Sequence, residues 1–415
     1  MKKNALCLLF LSSLLVTSCD FNGGNNDTDD IFDEPEIVVR ATRPELFSLS
    51  RAGEPLLVDK DVKRYTDEMY KQRDTGRSEP EDKINNLHGD TVDVSYYMGN
   101  YDASIPVEVS FTFDESLKDE EFRVRYWTEG HDNEYKEVDA VKGSDKCTAS
   151  LVNLYRGAEY EWKVVTTSGI SSGNEYFSTQ DYIRIVTVGA LYNVRDAGGW
   201  TTVDGKRIKQ GRLYRGCEIN PVETPKGHKK NVTDEGRYTF IKDLGVTTQL
   251  DLRKDSESGD LTGCPFGSNL EYKRMIIESY EDGLDPTKED FSGANIKICF
   301  EDYFAHLDEK VIYYNCYGGA DRTGTVAFLL GAILGMTYTD LIIDYEATSF
   351  CGSLKQHTLN EDFNHFPQMI QYFKSLPWYS ESKTLKEIVE EYLIQICGIS
   401  KATIDKIRSV MLEDK

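Results

Sequence analysis

Between residues 107 and 164, apolar side chains recur at every second position. Val107, Val109, Phe111 and Phe113 make one such run, Phe122, Val124 and Tyr126 a second, and Tyr160, Trp162 and Val164 a third. A period of two puts apolar side chains on one face of a strand and polar ones on the other. Turn-rich pieces such as TEGHDNEY and VKGSDK separate the runs. The pattern predicts a small, all-β, antiparallel sandwich over residues 91–182. Past Tyr182 the grammar changes. Apolar strands (VTTQLDL, LEYKRMII, KVIYYNC) alternate with helical segments. In IKICFEDYFAHL, Ile296, Cys299, Phe300, Tyr303, Phe304 and Leu307 fall on one helical face. TDLIIDYEATS, FPQMIQYFKSL, LKEIVEEYLIQI and the tail CGISKATIDKIRSVML also read as helices, with Gly398 stopping one and Ser400 capping the next. Strands alternating with helices predict an α/β domain over residues 183–415, built on a parallel-type sheet. Residues 38–90 are harder to read: VKRYTDEMYKQ fits a short helix and TGRSEPEDKINNLHGD a linker.

The amino terminus has a different character. MKKN is a short basic stretch, and ALCLLFLSSLLV is an apolar run too short to span a membrane as a mature helix. VTSC then brings small residues directly against Cys19. This arrangement resembles the bacterial lipobox, which implies removal of residues 1–18 and lipid attachment at Cys19. An ordinary secretory leader is the alternative. Residues 19–37 carry no basic side chain and few apolar ones, so they predict a disordered acidic tether. The expected location is the bacterial cell envelope, lipid-anchored at the outer membrane and facing either the periplasm or the outside.

Charge narrows the classes of partner. The 415 residues hold 71 acidic and 48 basic side chains, a formal net charge of −23. So acidic a surface repels nucleic acid and anionic headgroups at long range, so no nucleic-acid partner is expected. A phosphorylated substrate must then be captured by a local positive site. Of nine cysteines, Cys7 leaves with the leader and Cys19 carries lipid; the remaining seven are an odd number, so at least one thiol stays unpaired. No Cys/His spacing suits a metal, and no metal or cofactor is expected.

The candidate chemistry lies in NCYGGADRTG, residues 315–324, between the apolar strand VIYYNC and the apolar helix RTGTVAFLLGAILG. A loop so placed aims its backbone N–H groups at the space before a helix N-terminus, where both the amides and the helix dipole favour an anion. Gly318 and Gly319 let the backbone wrap closely around a ligand. The same field favours a thiolate at Cys316. Arg322 offers a planar two-pronged donor to phosphate oxygens, and Thr323 is expected to place a hydroxyl within reach of the sulfur. The competing reading of Cys316 is a core thiol at a tight turn.

Cysteine, five residues, arginine, then threonine or serine resembles the loop of the cysteine-dependent phosphatases. More of the chain resembles one branch of them. YNVRDAGGWTTVDGKRIKQGRLYRG (192–216), LGVTTQLDLRKDSE (244–257), IDYEATS and the tail EEYLIQICGISKATIDKIRSVML are similar, in order, to segments of the bacterial tyrosine phosphatases related to the secreted mycobacterial phosphatase B. The resemblance spans roughly 190–412. It implies a dual-specificity-like phosphatase fold and hydrolysis of phosphate monoesters, on proteins or small molecules, through a phosphocysteine. By position it makes Cys316 the nucleophile and Arg322 the phosphoryl clamp. The amides of Tyr317, Gly318, Gly319, Ala320, Asp321 and Arg322 complete the anion cradle. Asp321 is the first candidate for the proton donor, with a loop-bracing role as its alternative; Glu278 and Asp282 lie where relatives carry a second acid. Asn193, Arg195 and Asp196, like Asp251 and Arg253, are expected to brace the loop or orient Arg322. In the upstream segment, LVNLYRGAEYEWKV resembles the fibronectin type III pattern, with Leu154 six positions before Tyr160. No paired cysteines mark a true immunoglobulin domain, and a spacer or a ligand-binding module are both open.

Two positions depart from the family pattern. Asn315 stands where histidine usually precedes the cysteine; it can donate a hydrogen bond but cannot carry a positive charge. Ala320 stands where many relatives have a lysine that supports binding of multiply phosphorylated inositols. The second departure weakens an inositol phosphate or phosphoinositide phosphatase as an alternative. The first leaves open a catalytically weak or dead phosphate-binding surface protein.

Overall fold

The alternating runs form two sheets over a shared core. The computed structural model describes residues 36–76, 92–223, 227, 229–258, 261–352, 354 and 365–414. The predicted leader, Cys19, the tether up to residue 35, most of the linker after the first helix and most of HTLNEDFNH (357–365) lie outside the described residues. In chain order the N-terminal strands are β1 (Ala41–Thr42), β2 (Phe47–Leu49), β3 (Val107–Phe113), β4 (Phe122–Thr128) and β5 (Lys136–Asp139). They continue with β6 (Val141–Lys142), β7 (Cys147–Leu151), β8 (Glu159–Thr166), β9 (Ile170–Ser171) and β10 (Glu175–Ser178). One sheet runs β1-β9-β8-β4-β5, with β10 also on β8; the other runs β2-β3-β7-β6. All pairings are antiparallel except the short β1–β9 contact. The inward positions of both sheets, among them Val109, Phe111, Val124, Leu151, Trp162 and Val164, pack into one cluster.

Residues 38–90 contribute more than their sequence pattern suggests. β1 and β2 complete the two sheets, and the helix Lys60–Gly76 joins the core of the C-terminal half through Val62, Tyr65 and Met69. Its Tyr65 hydroxyl donates to buried Glu346, and Tyr70 donates to Asp340 at 2.8 Å. A hydrogen bond to a charged group contributes about 1.5–3 kcal/mol. Tyr65→Phe is therefore expected to lower the unfolding free energy by about that amount. Urea denaturation measures it, and an unchanged midpoint would mean the helix is not integral to the fold.

The C-terminal half is mixed α/β. Its strands are β11 (Arg195–Asp196), β12 (Arg207–Ile208), β13 (Leu213–Gly216), β14 (Thr248–Asp251), β15 (Glu271–Arg274), β16 (Ile312–Asn315) and β17 (Leu412–Glu413). The main sheet runs β11-β13-β16-β14-β15, parallel throughout except for the edge strand β11. In a parallel sheet all the carboxyl ends lie along one edge, which is where open α/β folds build their sites. β16 is central, and the helix Asp321–Leu334 follows it directly. Ten of that helix's residues are buried and Gly335 stops it in the left-handed conformation (φ 87°). Thr337, Thr384 and Ser400 cap the later helices with their side-chain oxygens.

A polar seam ties the N-terminal sheets to this half. Arg184, fully buried, donates to the carbonyls of Asn153 (2.6 Å) and Leu154 (2.9 Å) on one side and to Asp196 on the other. Arg156 pairs with Asp181 at 2.6 Å and stacks on Trp200 at 4.6 Å. Pro35–Lys415 accordingly forms one compact unit. All seven described cysteines are buried, and none of them forms a disulfide.

Candidate active site

The loop Cys316–Ala320 leaves the carboxyl end of β16 and runs straight into the helix that begins at Asp321. Cys316 is 2% exposed, whereas Tyr317 beside it is 40% exposed. Gly319 takes φ +71°, and a Cβ there would lie 2.4 Å from the Gly216 carbonyl at the end of β13. Only glycine lets the loop press this closely on the neighbouring strand.

The outward side of the loop is fully engaged. Glu218 N–H donates to the Tyr317 carbonyl at 3.0 Å, and Asn193 Nδ2 donates to the Gly318 carbonyl at 2.9 Å. Arg215 Nη2 reaches the Gly319 carbonyl at 2.9 Å and the Ala320 carbonyl at 3.4 Å. With the carbonyls held outside, the peptide planes turn their N–H groups inward. Among the described residues, the N–H groups of Gly318, Gly319 and Ala320 donate to no main-chain or side-chain acceptor. Successive unpaired amides around a helix N-terminus are an anion cradle.

Arg322 closes the cradle. Its Nη1 and Nη2 bind both oxygens of Glu257, at 2.5 and 3.0 Å. Burial works against its charge, but the Glu257 hydrogen bonds and the nearby Cys316 sulfur outweigh burial and raise its pKa. Glu257 fixes the plane of the guanidinium, whose charge is close enough to interact with the Cys316 sulfur. Glu257→Ala is expected to release this orientation and lower kcat/KM about tenfold, because bidentate pairing and alignment are lost together. Steady-state kinetics on p-nitrophenyl phosphate would show it; unchanged kinetics would mean Arg322 is oriented without Glu257.

The remaining predicted residues divide. Asn193 braces the loop directly, and Arg195 braces it at one remove, donating to Asn193 Oδ1 at 2.6 Å and to Asp344 Oδ1 at 2.9 Å. Asp196 does not reach the loop: it turns to Arg184 and to the N–H groups of Gly198 and Gly211. Asp251 and Arg253 bind each other, at 2.6 Å, with Arg253 reaching on to Glu218 at 2.7 Å. Through Glu218, whose N–H holds the Tyr317 carbonyl, they brace the loop at one remove, while Glu257 holds Arg322. Thr323 is fully buried with no hydrogen-bond partner for its hydroxyl, so it makes no hydrogen bond to the sulfur. Asn315 accepts from Gln249 at 2.9 Å and donates to the Cys316 carbonyl at 3.2 Å, tying β16 to β14. Asp321 accepts from Tyr280 at 2.9 Å. Glu278 pairs with Lys254 at 2.8 Å and Asp282 faces Lys288 at 3.7 Å. Arg215, Glu218, Glu257, Tyr280 and Asp344, which the sequence did not single out, contact the loop, its helix or the side chains that hold it. Arg215, Glu257 and Asp344 stand inside the matched motifs, the one signal that could have found them. Among the described residues, no group of three or more His, Cys, Asp or Glu side chains is arranged to hold a metal ion.

Comparisons with known proteins bear on the same region. A curated Cupriavidus necator protein, whose name marks it as an inferred tyrosine-protein phosphatase, is 24% identical over 193 residues. The match takes in 42% of this chain and spans 63% of that relative's length. Among solved structures, the core catalytic domain of the PP-IP phosphatase SIW14 from S. cerevisiae, in complex with citrate, aligns with 44% of this chain and 88% of its own. Its identity is 11% and its TM-score 0.25. The purple acid phosphatase PPD1 of yellow lupin (Lupinus luteus) aligns at 14% identity and a TM-score of 0.15. Residues 186–413 match the model of the tyrosine phosphatase family, and the stretch takes in every segment of the site just described. The chain belongs to the tyrosine phosphatase family.

Proposed function

We propose that the protein is a cysteine-dependent, dual-specificity-like tyrosine phosphatase that hydrolyses phosphate monoesters through a phosphocysteine. The observation that carries this reading is the loop itself: Cys316 at its base, inward amides around it and Arg322 beside the sulfur. In the first transfer Cys316 Sγ attacks phosphorus, the P–S bond forms, the P–O bond to the leaving group breaks, and Asp321 protonates the departing oxygen. Water then attacks the phosphocysteine, Asp321 takes its proton, and the S–P bond breaks to release inorganic phosphate. The amides and Arg322 stabilise the equatorial oxygens in both transfers. The resemblance to the relatives of mycobacterial phosphatase B belongs to this proposal, as does a phosphorylated protein substrate.

The same reading makes the N-terminal sheets a fibronectin III-like module and Cys19 a lipid anchor in the bacterial envelope. Support for the module comes from the two sheets over one core; support for the anchor comes from the residues preceding Cys19. The test is hydrolysis of p-nitrophenyl phosphate by the chain starting after Cys19, in EDTA and a reductant, with acid-quenched phosphoenzyme counted from labelled substrate. Turnover with a trapped phosphoenzyme supports the proposal. Binding of phosphate without turnover would make the loop a receptor.

A further inference from the structure

Tyr280 is a buried aromatic residue in a backbone conformation that aromatic residues avoid. Its φ is +52°, and its side chain is 3% exposed. A bulky residue in the left-handed region stores strain of the kind that collects at functional sites. Two of its contacts lead to Asp321. The Tyr280 hydroxyl donates to Asp321 Oδ1 at 2.9 Å. The Tyr280 N–H donates to Thr325 Oγ1 at 2.7 Å, and that hydroxyl donates to the Asp321 carbonyl at 3.0 Å. Main chain and side chain of one residue thus grip the first turn of the loop's helix. The ring is steadied by Tyr345, edge to face, with centroids 6.4 Å apart. Thr325 is fully buried, so the grip is shielded from water.

We propose that Tyr280 is the positioning residue for proton transfer to the leaving group: it holds one oxygen of Asp321 so that the other faces the departing oxygen. The assignment rests on the phosphatase reading and on Asp321 as the acid. Asp321 itself is exposed at the start of its helix, where the rotamer of so short a side chain decides where its oxygens point. A rigid phenol fixed at both its hydroxyl and its backbone N–H sets that rotamer, as pre-organised sites require. The strained φ follows from the geometry. The chain must turn sharply after β15 to bring the Tyr280 N–H and its hydroxyl to bear on the same helical turn.

The test uses leaving groups of different basicity. A p-nitrophenolate departs without help, whereas phenolate, with a pKa near ~10 like tyrosine itself, needs a proton. Values of kcat/KM would be measured on p-nitrophenyl phosphate and phenyl phosphate for wild type, Tyr280→Phe, Asp321→Asn and the double variant. Tyr280→Phe keeps the ring against Tyr345, and thermal melts would verify its folding. It is expected to lose roughly tenfold or more on phenyl phosphate and little on p-nitrophenyl phosphate. Asp321→Asn should show the same selective loss, larger, and the double variant should be no worse than Asp321→Asn alone. Thr325→Val, which cuts the second contact, should repeat the selective loss. Equal losses on both substrates, or a double variant that loses the product of the single effects, would make Tyr280 a structural residue and overturn the assignment. An active wild type with no selective loss overturns this assignment alone; an inactive wild type overturns the phosphatase reading with it.

Discussion

Replacing Cys316 by serine is expected to abolish hydrolysis, lowering kcat by roughly 10⁴-fold or more, while the protein stays folded. Serine is nearly isosteric, and the loop does not depend on the sulfur for its shape. Arg215, Asn193 and the Glu218 N–H hold it through its carbonyls. What changes is the nucleophile. A serine hydroxyl is a far weaker nucleophile toward phosphorus than the cysteine sulfur it replaces. The cradle should therefore still bind phosphate, and inorganic phosphate should raise the melting temperature of Cys316→Ser as it does that of wild type. Rates and phosphate-dependent melts on both proteins make the comparison. A serine variant that keeps a tenth of the wild-type rate would place the nucleophile elsewhere. Thr323, whose hydroxyl has no hydrogen-bond partner, would then be the first residue to examine.

Asp344→Asn is expected to destabilise the fold by about 3–5 kcal/mol, because it leaves buried guanidiniums without their countercharge. Asp344 takes Arg195 on one oxygen, at 2.9 Å, and Arg215 on the other. Both arginines are almost fully buried, and each holds the loop, Arg215 directly and Arg195 through Asn193. The variant should therefore lose activity as well as stability. The pH dependence has a definite sign. Burial alone would push the Asp344 carboxyl up, but the two guanidiniums, Arg215 ahead of Arg195, outweigh burial and hold it below the ordinary carboxylate range. A depressed folded-state pKa stabilises above the unfolded value, near ~3.9, and that stabilisation disappears as pH falls through the folded value. The gap between wild type and Asp344→Asn should be constant at neutral pH and narrow only below about pH 4. Urea denaturation across that range measures it. A gap that widens toward acid would mean another group controls the loop's support.

The parts of this protein legible in its sequence are those in which neighbours along the chain are also neighbours in space. A strand, a glycine-rich turn and a helix in immediate succession place Cys316, the amides and Arg322 together without help from elsewhere. Period-two runs report β3, β4 and β8, because alternation is imposed by the pleat of each strand separately. Ser400 and Gly398 mark helix ends because capping is local. Tertiary structure decided the rest. β1 and β2, two and three residues long, are too short to show any period, and they exist as strands because β9 and β3 pair with them. The helix Lys60–Gly76 shows an apolar stripe, but a stripe does not name the surface it buries against. That surface belongs to a helix almost three hundred residues downstream. Asp196 has the residue type of a loop support, yet its partner turned out to be Arg184, away from the loop. Arg322 found Glu257 across 65 positions, and Arg215 found Asp344 across 129. A charge in a sequence fixes what kind of partner it needs once buried, while only the packing of strands and helices determines which partner arrives.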